Sequence, residues 1–214
     1  MTERMSSSVE LPAVVSISAL AERRQLSLTG DLLARAFAAD PVLCHAEPNA
    51  VRRAGWMSLL YRACFRYAAA TGGVELVDER AAVLWLQSET EPPFWRGILH
   101  GSLRVMLALG WRAAWRCLRH EAWCAARVHA LGLQRFGYIW ILGVDPVAQR
   151  EGLGRRALGA ALASMRAHGH EVCILKTECR SNVAFYLGLG FEILDEYVVP
   201  ATQLRCWLFR RGLG

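Results

Sequence analysis

The sequence lacks the patterns that mark secreted, zinc-binding and membrane-spanning chains. Its seven cysteines form no CxxC pair and show no spacing typical of a zinc site. The most apolar long stretch, residues 98–118, is interrupted by three arginines, whereas a membrane span needs about 20 residues with few charges. Residues 1–12 do not have the basic segment and apolar run of a signal peptide. We therefore expect reduced thiols, no metal and a cytoplasmic location.

Lysine is nearly absent, since Lys176 is the only lysine among 25 basic residues. Arginine supplies the others, and the formal net charge is +6. A positive, arginine-rich chain is compatible with nucleic acid, anionic lipid or a phosphorylated ligand as partner. The same bias can reflect the base composition of a genome, so charge alone does not choose among these interpretations.

Composition and length are typical of a folded protein with one domain. Hydrophobic residues make up 54% of the chain and charged residues 21%, which excludes a disordered chain. With 214 residues, the chain is long enough to bury a core without a disulfide or a metal. No repeat or linker divides the sequence. We expect a loosely ordered N-terminus over residues 1–12 and a single domain over residues 13–214.

The middle of the chain, residues 92–131, has helical composition and carries a stripe of arginines. On a single helix the stripe would occupy one side, with members Arg104, Arg112, Arg116, Arg119 and Arg127. Such a stripe is usually a solvated helix face. The alternative is contact with an anionic partner or a membrane surface.

The last third of the sequence alternates between apolar strands and amphipathic helices. Residues 138–144 (YIWILGV) are nearly all apolar, which is typical of a strand buried on both faces. A helix follows Gly154, and residues 172–175 and 204–209 predict further strands. The alternation predicts an α/β (α+β) class with at least one parallel crossover.

Gly152 and Gly154 lie where the buried strand turns into the helix. Backbone without a Cβ lets N–H groups face a ligand, and a helix N-terminus adds positive potential. The segment therefore predicts an anion site suited to a pyrophosphate, although tight packing alone would also explain glycines there. No Walker A string occurs. A Rossmann loop is excluded by context, because residues 145–151 separate the strand from the first glycine, and the next strand ends without an acidic residue.

A third loop pattern, [QR]-x-x-G-x-[GA] after V-x-P, fits residues 144–154 (VDPVAQREGLG) at every position. Residues 182–191 (NVAFYLGLGF) add a second motif at the expected spacing. On these residues the sequence resembles the GNAT acetyltransferase superfamily, and residues 136–211 are similar in particular to puromycin N-acetyltransferase-like members. The resemblance implies a mixed, mostly antiparallel twisted sheet flanked by helices, with a V-shaped splay between two central parallel strands.

The resemblance also implies acetyl-CoA as cosubstrate and a role for each matching residue. Its pyrophosphate would bind the loop Gln149, Arg150, Glu151, Gly152, Leu153, Gly154 and Arg155. The pantetheine arm would lie along Leu142, Gly143 and Val144, where a strand glycine marks a bulge or a close approach. Tyr186 matches the general acid that protonates the CoA sulfur, although it could instead be a packed aromatic beside Phe185. Asn182 would bind the pantetheine or cap its own short helix.

The acceptor side is less determined by the sequence. Phe37, Trp85 and Trp140 could wall an aromatic pocket, although core packing explains each of them equally well. No motif places the general base, and the candidates are Asp40, Glu178, Tyr138 and His45. Similar sequences often read L-E-T where this chain has Leu175-Lys176-Thr177-Glu178, so we expect the pocket to differ from the puromycin type. A ping-pong route through Cys173 or Cys179 is a further alternative.

Two functions are therefore compatible with the sequence. The first is an N-acetyltransferase that moves an acetyl group from acetyl-CoA to the primary amine of a small molecule in a ternary complex. The second is a non-catalytic acyl-CoA-binding or membrane-surface protein that uses the stripe between Arg104 and Arg127. For the enzyme we expect no nucleic acid partner, no membrane contact, and a monomer or homodimer.

Overall fold

The computed structural model describes residues 15–16, 23–88 and 103–214. These residues contain one sheet with the strand order β1-β2-β3-β4-β5-β7-β6. Its strands are β1 (Val15–Ser16), β2 (Gly72–Val77), β3 (Ala81–Gln87), β4 (Phe136–Val144), β5 (Val172–Thr177), β6 (Glu192–Val198) and β7 (Arg205–Gly212). Within these residues the one parallel pair is β4 with β5, and the other pairs are antiparallel. The expected loosely ordered residues 1–12 lie outside the described part of the chain.

The helices begin and end at residues that the local sequence explains. They are α1 (Arg23–Ala36), α2 (Pro41–Ala46), α3 (Ala50–Thr71), α4 (Leu103–Leu109), α5 (Trp111–Ala130), α6 (Leu153–Ala167) and α7 (Val183–Leu187). Asp40 caps α2 by accepting the Leu43 N–H at 2.9 Å, and Asn49 caps α3 by accepting the Arg52 N–H at 3.0 Å. These two caps separate helices that would otherwise run together.

Helices cover both faces of the sheet. On one face α6 buries Ala157, Leu158 and Met165 against strand residues such as Ile139 and Leu175. On the other face α1 and α3 pack over β2 and β3, and α5 packs over β5 and β7. The predicted mixed, mostly antiparallel sheet flanked by helices is confirmed.

The two central strands pair over only part of their length. The parallel ladder runs from Phe136 opposite Val172 to Ile139 opposite Leu175 and stops there. β4 then continues to Val144 alongside β3, while β5 continues to Thr177 alongside β7. The strands therefore part after Ile139 and Leu175, which confirms the predicted splay.

The arginine-rich middle is not a single helix. Gly110 has a φ of 76° and separates α4 from α5, because a left-handed residue cannot continue a right-handed helix. The stripe that a single helix would form is therefore divided between α4 and α5, and residues 92–102 lie outside the described part of the chain.

Candidate active site

The loop between β4 and α6 is held in a conformation that presents backbone N–H groups. Arg150 and Gly152 both have positive φ, 71° and 80°. Gly152 is the N-cap of α6, and its position lacks a capping side chain. The first N–H groups of a helix have no intrahelical partner, so those of Leu153, Gly154 and Arg155 can bind an anion.

Ion pairs to the β2–β3 turn fix both flanks of this loop. Arg80 donates to both carboxylate oxygens of Glu151 at 3.0 Å, and Arg156 donates to Asp78 at 2.9 Å. The remaining polar side chains of the loop are exposed, namely Gln149, Arg150 and Arg155. The carboxylate of Glu151 thus anchors the loop, and two arginines are left to add positive charge near it.

The loop, the end of β4 and helix α7 meet at one place. A Cβ added to Gly154 would lie 3.3 Å from Val144 Cγ2 and 3.5 Å from the Phe185 ring. Leu142 and Val144 pack against the same apolar cluster that contains Tyr186. Residues that the sequence assigns to the pyrophosphate, to the pantetheine arm and to protonation of the thiolate therefore lie close together, near the end of β4 that extends beyond the splay.

Gly143 is not the bulged residue of β4. The extra residue on β4 is Trp140, since Ile139 pairs with Trp85 and Ile141 pairs with Leu84. A Cβ at Gly143 would lie 2.5 Å from Leu33 Cδ2, so glycine is needed there for the close approach of α1. Of the two predicted reasons for this glycine, the structure supports close approach.

Tyr186 and Asn182 lie on the β5 side of the splay. Tyr186 is 6% exposed and packs against the rings of Phe191 and Phe209 at centroid distances of 5.9 and 5.4 Å. Burial raises the pKa of Tyr186, so the phenol stays protonated, as a proton donor must. Asn182 donates from Nδ2 to Thr177 Oγ1 at 3.3 Å, which fixes its side chain at the end of β5.

A cavity of about 440 Å³ lies on the face of the sheet covered by α3, α4 and α5. Its walls are mostly apolar, and its lining includes Leu60, Tyr67, Leu86, Val105, Leu118, Phe136, Tyr138 and Trp140. Glu121 and Lys176 bring charge into it. The volume suits a small molecule, and the mixture of apolar walls and a few polar groups is typical of ligand sites.

Not all of the predicted pocket residues face this cavity. Tyr138 and Trp140 line it, whereas Phe37 packs against the ring of Tyr61 at 5.4 Å. Trp85 is 1% exposed and lies in the core under α6, with its ring 5.3 Å from that of His168. Trp85 points to the opposite face of the sheet because it alternates with Leu84 and Leu86, which face α3.

Among the base candidates, Asp40 has the pKa that best suits a group that must accept a proton near neutral pH. Its burial raises the pKa to about 6, even though the hydrogen bond from Leu43 N–H acts in the opposite direction. Asp40 is not itself among the residues that line the cavity, but its charge interacts with Lys176 and with Cys117, which both line it. A carboxylate with a pKa near the working pH is suited to accept a proton.

The other base candidates are less suited. Burial opposes the ionisation of Glu178, but the neighbouring Lys176 and His120 lower its pKa well below the usual range. Burial raises the pKa of Tyr138 well above its usual value. His45 lies in the last turn of α2 and is not among the residues that line the cavity.

The cysteines offered for a ping-pong route are poorly placed. Cys173 is 0% exposed, and burial raises the pKa of its thiol to about 12. Cys179 lies with its Sγ 3.0 Å from Ser181 Oγ, and neither cysteine is among the residues that line the cavity.

The sequence did not indicate Glu121, whose carboxylate accepts from Lys176 Nζ at 3.1 Å in the cavity. Glu121 is the only acidic residue of the arginine-rich helix α5, and that contrast is the signal that could have identified it. The Lys176 ammonium also donates to Glu178 at 2.7 Å. The replacement of the usual acidic residue by lysine is thus accompanied by two carboxylates in contact with it.

Two of the arginines of the middle helices already contact other parts of the protein. Arg116 donates to the Ala46 carbonyl oxygen at 3.1 Å. Arg127 pairs with Asp195 at 3.6 Å and stacks over the rings of Trp123 and Tyr197. These contacts do not favour a dedicated anionic surface. None of the helices in the described ranges combines the length and hydropathy that a bilayer crossing requires.

Part of the chain matches the model of a known protein family. Residues 117–191 match the family model described as acetyltransferase (GNAT) family. A search of the curated proteins found no match. The narrower similarity to puromycin N-acetyltransferase-like members stays a prediction from the sequence.

Solved acetyltransferase structures share the fold over nearly the whole chain. Arylalkylamine N-acetyltransferase 2 from Aedes aegypti is 12% identical with a TM-score of 0.62, and covers 94% of this chain and 99% of its own. An agmatine N-acetyltransferase is 16% identical with a TM-score of 0.55, at 93% and 99% coverage. A chain of the NatC complex bound to Gag peptide and CoA is 12% identical with a TM-score of 0.54, at 94% and 99% coverage. At these identities the likeness establishes the fold.

Proposed function

We propose that the chain is an acetyltransferase of the GNAT type, which acetylates a small-molecule primary amine with acetyl-CoA. The family match over residues 117–191 and the shared fold support acyl transfer in general. The acetyl donor, the amine acceptor and the direct ternary-complex mechanism are the parts that we propose here.

One observation carries the proposal, namely that residues at the start of the splay line the cavity. Trp140 and Lys176 are the first residues beyond the paired segment on β4 and on β5, and both line the cavity. A thioester in the splay and an amine in the cavity would therefore approach each other at this point. Bringing two reactants together in this way is a large part of catalysis when the acyl group is already activated.

The donor side supplies anion binding and an extended backbone. The N–H groups at the start of α6, with exposed Arg150 and Arg155 nearby, suit a pyrophosphate. Beyond Ile139 the edge of β4 that faced β5 is no longer paired with it, so Leu142 to Val144 can hydrogen-bond a pantetheine arm. A neighbour of the same fold was solved with CoA, which supports this choice of donor.

The acceptor side suits an amine with an apolar body. The walls of the cavity are aliphatic and aromatic, and Glu121 offers a carboxylate to a cationic nitrogen. Two neighbours of the same fold act on amines according to their names, arylalkylamine and agmatine. We infer either a diamine whose second, cationic nitrogen reaches Glu121, or a monoamine that reaches Glu121 as its ammonium and reacts after losing a proton.

The chemistry requires four events, and the residues around the splay supply them. The amine nitrogen attacks the thioester carbonyl carbon, and its proton passes to Asp40 directly or through water. Backbone around the bulge at Trp140, which is not paired in register with β3, can stabilise the oxyanion. As the C–S bond breaks, Tyr186 donates its proton to the thiolate of CoA.

The test is a screen of amines read by release of the CoA thiol from acetyl-CoA. Aminonucleosides, aminoglycosides, polyamines and arylalkylamines form the panel, and Tyr186→Phe is the matched variant. We expect thiol release with at least one amine in the wild type and a strong decrease in the variant. Acetyl-CoA binding without thiol release across the panel would contradict the amine assignment, and no binding would contradict the donor assignment.

A further inference from the structure

A buried group of metal-ligand side chains lies beside the cavity and has no role in the proposed acyl transfer. His120 Nε2, Cys124 Sγ and a Glu178 oxygen all lie within 4.8 Å of one another. His120 and Cys124 are four residues apart on α5, so they project from the same face of the helix. Glu178 follows directly after β5. The three ligands thus come from two elements that pack together.

A second thiol approaches the same group from β7. Cys206 Sγ lies 3.5 Å from Glu178 Oε1, although it is not one of the three atoms that all lie within 4.8 Å of one another. We propose that His120, Cys124 and Glu178 bind a zinc ion with Cys206 as the fourth ligand, and that the ion joins α5 to the ends of β5 and β7. This proposal does not depend on the proposed acetyltransferase activity.

Two of the three ligand separations that can be compared agree with tetrahedral zinc. Zinc binds imidazole nitrogen at about 2.0–2.1 Å and thiolate at about 2.3 Å, so a tetrahedral angle separates N and S by about 3.6 Å. The observed separation between Cys124 Sγ and His120 Nε2 is 3.6 Å. The separation between Cys206 Sγ and Glu178 Oε1 is 3.5 Å, and only the 3.0 Å between His120 Nε2 and Glu178 Oε1 is short.

Groups around the ligands supply the outer shell that a metal histidine needs. His120 Nδ1 lies 3.0 Å from Thr202 Oγ1, so Nδ1–H can donate to the hydroxyl and leave Nε2 free to bind a cation. Lys176 donates to Glu178 at 2.7 Å. Two thiolates and one carboxylate exceed the charge of Zn²⁺ by one, and the Lys176 ammonium neutralises that remainder. Four protein ligands leave no open position, so the ion would be structural.

This site cannot be recognised from the sequence, because its ligands are far apart along the chain, at positions 120, 124, 178 and 206. The sequence-based expectation of no metal rested on the lack of closely spaced cysteine pairs. The fold brings distant residues together because α5 packs across β5 and β7.

The experiment measures zinc binding by the full-length protein purified without a polyhistidine tag. After removal of metal with a chelator, equilibrium dialysis against Zn²⁺ alone should restore one ion per chain. Replacement by Co²⁺ should give the thiolate charge-transfer band and the intense visible bands of tetrahedral cobalt. Wild-type protein that binds no zinc, or a cobalt spectrum without a thiolate band, would overturn the proposal, and neither result depends on a variant.

Variants identify the ligands. Cys124→Ser and Cys206→Ser should weaken Zn²⁺ binding and diminish the cobalt–thiolate band, while Cys173→Ser, a buried thiol on the opposite face of the sheet, should leave both unchanged. Thr202→Val should weaken Zn²⁺ binding about 10-fold through loss of the outer hydrogen bond. Equal zinc binding in the wild type and in both ligand variants would contradict this ligand set.

Discussion

The donor and acceptor sides of the splay are built in different ways. The donor side consists mainly of backbone, with residues 149–155 and the exposed edge of β4 supplying N–H and C=O groups. The acceptor side consists of side chains from α3, α4, α5 and the two central strands. Backbone sites depend on a short local motif, whereas a side-chain cavity depends on how distant elements pack.

This difference explains why one side is general and the other specific. A pyrophosphate and a pantetheine arm are the same for every acyl-CoA, so a fixed backbone conformation is sufficient for them. The amine differs from enzyme to enzyme, and the side chains of α4 and α5 can change without altering the sheet. The following predictions test whether the two sides can be altered independently.

The largest effect should come from the proton donor on the donor side. Tyr186→Phe should lower kcat by roughly 10²–10³-fold because the thiolate loses its proton source, with little change in the affinity for CoA. Steady-state thiol release and calorimetric titration with CoA measure the two quantities. Tyr197→Phe, a buried tyrosine on β6, is the control. An unchanged kcat in Tyr186→Phe would show that the phenol is only a packed aromatic.

The next effect should come from the base on the acceptor side. Asp40→Asn keeps a residue that caps α2 well but cannot accept a proton, and should lower kcat/KM by about 10²-fold. Because the base must be ionised and its pKa is raised to about 6, wild-type kcat/KM should rise with pH up to about 6 and then level off. The variant should lose this rise. A wild-type profile that is flat between pH 5 and 7 would refute the assignment.

The ionisation of Asp40 that raises activity should lower the stability of the folded protein. The pKa of Asp40 is higher in the folded protein than its usual value of 3.8, so the folded state holds the proton more tightly. The free energy of unfolding should therefore decrease as pH rises from about 4 to 6, and less so in Asp40→Asn. Urea denaturation at several pH values measures it, and equal slopes for the two proteins would argue against the burial of this charge.

A smaller effect should follow from crowding the donor loop. The added side chain in Gly154→Val would press against Val144 and Phe185, and we expect roughly 10-fold weaker acetyl-CoA binding with an unchanged KM for the amine. Gly159→Ala lies on the same helix in open space and should leave both unchanged. A parallel loss of amine binding in Gly154→Val would mean that the two sides are not independent.

The smallest effect should be that of the exposed carboxylate in the cavity. Glu121→Gln should raise the KM for the amine by about 5-fold, since an exposed ion pair contributes little, and should leave acetyl-CoA binding unchanged. Glu47→Gln, outside the cavity, is the control. An unchanged KM for every amine would remove Glu121 from the acceptor site.

The sequence was sufficient for most of the donor side because its signals are local. Residues 149–154 and 182–191 specify a helix start, a loop and the short helix that carries the proposed proton donor, all within short windows. The splay was also predicted, and the ladder that ends at Ile139 confirms it. The role of Gly143 could not be read fully, because its requirement comes from Leu33, more than a hundred residues earlier.

The acceptor side could not be predicted to the same extent. Trp85 and Trp140 look equivalent in the sequence, yet alternation along the strands and one bulge send them to opposite faces of the sheet. Glu121 faces the cavity only because Gly110 divides the middle segment and lets α5 pack across β5. Tertiary packing decides where these side chains lie, and no short sequence motif predicts that packing.

The most direct test of the central claim is the change in Tm of the wild-type protein with acetyl-CoA. Ligand at 100 times its Kd stabilises a protein by about 2.7 kcal/mol, which for a chain of this size raises Tm by roughly 5–10 °C. We expect that shift with acetyl-CoA, and a smaller one at the same concentration in Gly154→Val. A melting curve that millimolar acetyl-CoA leaves unchanged would contradict the account.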